Sequence, residues 1–169
     1  MFRTGHYGVS LLVFAPIGYT LVSAGAVTPA FALGATMLWL SMLPDVDHKL
    51  PGVRHRGPTH TLLFAGLVGG LFWGVAAVVT DALGAFSVSL GGASVGLAVF
   101  AFVVGFLTVV GHLVGDALTP MGVNFLWPLS GRGYSLSLTT ADSAVWNYGL
   151  FVLGVFVTAA WVSAALGVI

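Results

Sequence analysis

Ionisable side chains stand almost entirely at the ends of long apolar stretches, and that distribution decides what this chain can fold into. Only 6% of the 169 residues are charged, against 58% hydrophobic. A soluble domain carries about 25% charged residues, so this chain cannot cover a water-facing surface and belongs in lipid. Apolar stretches near residues 7–23, 29–43, 59–80, 93–117 and 144–168 predict spanning helices, a span taking roughly 17–25 residues. The second stretch is short by that measure. Pro16 should kink the first helix, and Pro29 suits the opening turn of the second. The expected fold is all-α, a polytopic membrane bundle of about five transmembrane helices forming one domain over residues 1–169. The 24 glycines fit helices that approach closely in lipid.

Charge and cysteine narrow the function. The formal net charge is zero with no basic run, so nucleic-acid binding has no electrostatic support. Cysteine is absent, which excludes disulfides, thiolate nucleophiles and cysteine-type zinc sites. The start resembles a secretory signal ending at Val22-Ser23-Ala24. A single Arg precedes it and cleavage would remove His6, so a retained anchor helix is the expectation.

Orientation follows from the positive charges. Arg3, Lys49, Arg54, Arg56 and Arg132, every Lys and Arg in the chain, fall in segments 1–6, 44–58 and 118–143. The loop 81–92 on the other side carries only Asp81. A multi-pass protein of the cell (inner) membrane with a cytoplasmic N-terminus is expected, and the same topology puts all five histidines on the cytoplasmic side. The loop 118–143, holding Phe125-Leu126-Trp127-Pro128-Leu129, should lie at the membrane interface.

The histidines and three of the five acidic residues gather in four clusters: Thr4-Gly5-His6, Pro44-Asp45-Val46-Asp47-His48, His55-Arg56-Gly57-Pro58-Thr59-His60, and His112-Leu113-Val114-Gly115-Asp116. Ionisable groups at membrane depth are expensive and are rarely kept without a use. His112 and Asp116 are four apart on a helix, hence on one face. Alone, that pair is as readily a buried hydrogen-bonded pair as a metal site. Asp45 and Asp47, two apart, repel in low dielectric unless a cation sits between them; Arg54 or Arg56 could also compensate them in a salt-bridge network. His6 either ligates or snorkels. His55 and Arg56 either hold an anionic group or anchor the loop. Asp142 is expected to cap the last helix.

Oxygen and nitrogen donors without sulfur suit Zn²⁺, with Mn²⁺ or Fe²⁺ also compatible. The donor number allows one or two ions. No Gly-rich phosphate cradle, H-E-x-x-H helix or G-x-S-x-G elbow occurs, which leaves metal-assisted hydrolysis as the natural reaction class.

The ordered segments Leu43-Pro44-Asp45-Val46-Asp47-His48, His55-Arg56-Gly57-Pro58-Thr59-His60-Thr61 and 111–123, with Gly111-His112 through Asp116 to Thr119-Pro120-Met121-Gly122-Val123, resemble the YdjM-type family of inner-membrane proteins. That family is described as membrane-bound metal-dependent hydrolases. A more distant likeness is to soluble zinc-dependent phospholipase C and the nucleases built on a similar zinc cluster. By that likeness His6, Asp45, His60, His112 and Asp116 would be metal ligands, with Asp116 a candidate bridge. No histidine follows His112, so one zinc position of those enzymes lacks its ligands here; Asp47 and His48 are the available substitutes.

The resulting expectation is a membrane hydrolase of a phosphoester or lipid-linked phosphate. Metal would be held by His6, Asp45, His48, His60, His112 and Asp116. Asp47, His55 and Arg56 would be catalytic, the last two holding the anionic group, and Thr119 would orient a ligand. The partner is membrane lipid. Competing expectations are a metal or proton transporter and a non-catalytic membrane scaffold.

Overall fold

The computed structural model describes residues 1–49, 51–52, 54–85, 87–90 and 92–169. Its helices are α1 (Arg3–Ser23), α2 (Val27–Trp39), α3 (Leu62–Leu83), α4 (Leu97–Ala117) and α5 (Ala144–Ala165). All are long and apolar enough to cross a membrane, α2 when taken with its continuation to Lys49. The second stretch looks short because it ends its α-helix at Trp39 and resumes as a 3₁₀ helix over Pro44–Lys49. Helix α1 runs unbroken through Pro16.

Three boundaries differ from expectation. Residues 93–96 are not helical: β1 (Ser87–Leu90) pairs antiparallel with β2 (Ala93–Gly96), Val88 opposite Val95. The alternation of serine with valine is a period-two pattern, masked by the apolar run that follows it. Helix α3 continues to Leu83 and takes in Asp81. Ser143, not Asp142, caps α5, its hydroxyl accepting from the Trp146 amide.

Helices α1 and α4 together form the middle of the bundle, α1 packing on α2, α4 and α5 and α4 on α1, α2 and α3. One core, with Phe14, Leu33, Met37 and Val104, lies between α1, α2 and α4. A second, with Ala65, Val68, Val109 and Leu113, joins α3 to α4. Lipid supplies no hydrophobic drive between helices, so close contact must come from small residues. Gly8 of α1 sits directly on the backbone of Leu150 in α5, and a Cβ on Gly105 of α4 would lie 2.9 Å from the Val68 carbonyl of α3. Outward faces stay apolar: Phe31, Leu71, Val78 and Phe156 are all exposed.

Alternating helices bring the starts of α1, α3 and α5 to the same end as the finishes of α2 and α4. Segment 118–143 closes that end. Leu136 and Leu138 donate their amides to the Ala117 and Leu118 carbonyls, and the Leu62 amide donates to Phe125. Those bonds satisfy backbone groups that helix ends leave over. Met121, Leu126, Trp127 and Leu129 of the segment remain exposed.

Candidate metal centre

Each cluster reaches the site on its own element. Helix α4 carries His112 and Asp116 one turn apart, the 3₁₀ turn after α2 carries Asp45 and Asp47, and a second 3₁₀ turn, Pro58–His60, delivers His60. Thr61 then caps α3 by accepting from the Phe64 amide at 3.0 Å, which fixes His60 just outside the helix.

Four donors converge. His60 Nε2 lies 3.2 Å from Asp45 Oδ1, 3.3 Å from His112 Nε2 and 3.4 Å from Asp116 Oδ2. His112 Nε2 lies 3.5 Å from Asp45 Oδ1 and 3.4 Å from Asp116 Oδ2. Five edges of a tetrahedron are therefore nearly equal. The sixth separation, between Asp45 and Asp116, is within 4.8 Å, and nitrogen and oxygen donors gathered this closely suit a small divalent ion such as zinc. Asp45, His60, His112 and Asp116 could thus hold a metal ion together.

Both imidazoles are aimed from behind. His112 Nδ1 donates to the Ser41 carbonyl at 2.7 Å; His60 Nδ1 lies 3.0 Å from the Thr59 hydroxyl, which itself donates to Asp47, and 3.2 Å from Asp47 Oδ2. A proton on each Nδ1 leaves the Nε2 lone pair facing the centre, the usual support for metal-ligating histidine. Burial alone would lower the affinity of His60 for a proton; hydrogen bonding to Asp116 and Asp45 outweighs it, and the pKa is raised above the ordinary histidine value. The ring is pulled toward the charge of a cation.

The remaining expected residues take other positions. His6, fully buried, stacks flat on His112 with ring centroids 3.9 Å apart. Its Nε2 approaches Asp116 Oδ1 at 3.6 Å, on the side away from the tetrahedron. A Cβ on Gly115 would come 2.8 Å from His6 Nδ1, so the glycine makes that stack possible. Asp47 is buried and saturated: it accepts from the Arg56 amide and Thr59 hydroxyl and contacts His55 and His60. Arg56 directs its guanidinium to Asp116. Its guanidinium donates to Asp116 Oδ1 at 2.6 Å and to Thr119 Oγ1 and the Gly122 carbonyl at 3.0 Å each. Thr119 therefore steadies Arg56. A left-handed backbone at Arg56 (φ 56°) lets its amide and side chain reach Asp47 and Asp116 together. His48 is exposed and stacks on His55.

Sequence reasoning missed the Ser41 carbonyl, Thr59 and Gly115. Ser41 and Gly115 carry no side-chain signal for such roles; Thr59, next to His60, could have been suspected.

The fold and this centre define a polytopic helical membrane protein with a buried histidine–aspartate cluster at one end. The family model described as YdjM inner membrane protein matches residues 1–169, and the chain belongs to that family. No curated protein and no solved structure matches it. These comparisons do not show the expected likeness to phospholipase C and the nucleases.

Proposed function

We propose that the protein is a membrane-bound metal-dependent hydrolase acting on a phosphoester or lipid-linked phosphate, its site facing the cytoplasm. The observation that carries this reading is the convergence of Asp45, His60, His112 and Asp116, five of whose six donor separations are 3.2–3.5 Å, with a hydrogen-bond partner behind each imidazole. Asp47 and Asp116 are buried and Asp45 partly so; against these three carboxylates stand the Arg56 guanidinium and the Met1 ammonium, 3.6 Å from Asp116, and a divalent cation neutralises the remaining negative charge with least rearrangement. A divalent cation held there would supply Lewis acidity toward a phosphoryl oxygen and acidify water once a position opens in its shell.

The chain's own residues do the rest. Arg56 pairs with Asp116 and fixes its position, while the Ser41 carbonyl and Thr59 with Asp47 behind it hold the two imidazoles. A cleft of about 450 Å³ beside the centre is lined by Arg54, His55, Arg56, Asn124 and Trp127 among others, a cationic and partly apolar wall suited to a phosphate on a lipid. The confinement of every Lys and Arg to one side supports a cytoplasmic opening.

The test is phosphate release from phospholipid and lipid-linked phosphate substrates by detergent-purified protein supplied with Zn²⁺ or Mn²⁺. The reading expects turnover that chelation abolishes and that Asp116→Asn lowers at least about a hundredfold. Turnover indifferent to chelator and to D116N, or none on any of these lipids by metal-loaded protein, would overturn it.

A further inference from the structure

A second donor group lies on the outer side of the centre. Asp45, Asp47, His48 and His55 each place one ligand-type atom within 4.8 Å of the others. The rings of His48 and His55 stack at 3.7 Å. Unlike the inner group, this one reaches solvent: His48 is exposed and the His55 side chain is 33% accessible.

Asp47 connects the two groups. One oxygen lies 3.1 Å from His55 Nδ1 and the other 3.2 Å from His60 Nδ1. With a proton on each Nδ1, the carboxylate orients His55 directly and His60 through the Thr59 hydroxyl, and both Nε2 atoms are left free to ligate. His60 turns its Nε2 to the inner tetrahedron. His55 has no such partner for its own among the described contacts. Asp45 likewise uses one oxygen inward, and it alone of the inner ligands is appreciably exposed.

Coordination chemistry explains why a second position matters. A tetrahedral ion with four protein ligands keeps no open site, whereas catalytic ions keep one. The inner group already offers four. Hydrolysis needs a cation with vacancies, and paired ions clamp attacking and leaving oxygens of a phosphoester.

We infer that Asp45, His48 and His55, with Asp47 behind them, hold a second, exchangeable divalent cation at the mouth of the centre. Asp45 bridges the inner and outer positions, and the outer cation meets the anionic group of the substrate. This rests on the inner group being a metal site, and it changes the part of His55 from contacting that anion directly to holding the cation that does.

Zn²⁺ titration of untagged, detergent-purified protein, read by calorimetry and by elemental analysis after desalting, separates the two claims. Wild type should bind about two equivalents, one surviving desalting and one lost. His48→Ala, at an exposed position, and the H48A/H55A pair should weaken the second event at least about tenfold and leave the first unchanged. Two unaltered events in H48A/H55A, or one event only in wild type, would overturn the outer site while leaving the inner one standing. No binding in wild type would remove both.

Discussion

The carboxylate of Asp47 lies 3.2 Å from Nδ1 of His60, on the opposite side of the ring from Asp45 and Asp116. A buried acid so placed would shape the inner candidate site without belonging to its four-donor group. Asp47→Asn keeps the volume and removes the charge. Metal affinity should fall by about 10- to 100-fold, measured by competition with a chromophoric chelator, with the fold retained by circular dichroism.

Arg56 and Asp116 form a buried pair, their side chains 8% and 2% exposed. Arg56→Ala leaves Asp116 without its nearest counter-charge, a loss worth about 3–5 kcal/mol for a buried pair. The metal-free variant should melt well below wild type in detergent. Added Zn²⁺ should restore a large part of the difference, because the ion neutralises the same carboxylate. Arg56→Lys should behave similarly, since an ammonium cannot reach Asp116, Thr119 and the Gly122 carbonyl at once.

The raised pKa of His60 sets the pH behaviour. A folded-state pKa above the unfolded value stabilises the metal-free protein fully below about pH 6.5, and that contribution disappears as pH rises through the folded-state value. Metal binding requires the neutral ring and strengthens over the same interval. Between pH 6 and pH 8.5 the melting temperature of metal-free protein should fall, and the increment given by Zn²⁺ should grow. An increment independent of pH would contradict ligation by His60.

Close helix contact can be tested apart from the site. A Cβ on Gly8 would strike the Leu150 backbone, whereas Gly66 and Gly70 face open space. Gly8→Ala should destabilise by about 1–3 kcal/mol, read as a lowered melting temperature in detergent. Gly66→Ala and Gly70→Ala should leave it unchanged or slightly higher.

Hydropathy made the spans legible because lipid tolerates little else, and the positive charges and histidines fell at one set of helix ends. Tertiary contacts decided what was not legible. His112 draws on the Ser41 carbonyl, a backbone group invisible in any motif. Arg56 reads as a loop cation until the fold brings Asp116, sixty positions away, within 2.6 Å. Asp47 reads as a catalytic residue or a substitute ligand; what the sequence does not reveal is that the 3₁₀ turn sets its two oxygens against Nδ1 of His55 and of His60. Residues 93–96 pass for helix because an apolar run follows them directly. His6 lies beside the predicted centre, stacked on His112 and outside the four-donor group.

The most direct measurement is metal content and X-ray absorption at the metal edge for detergent-purified protein and its His112→Ala variant. The account predicts a tightly held divalent ion with nitrogen and oxygen neighbours only, about 2.0–2.1 Å away, including imidazole, and its loss in the variant. Wild type that takes up no ion, or a variant that keeps the same ion in the same shell, would contradict it.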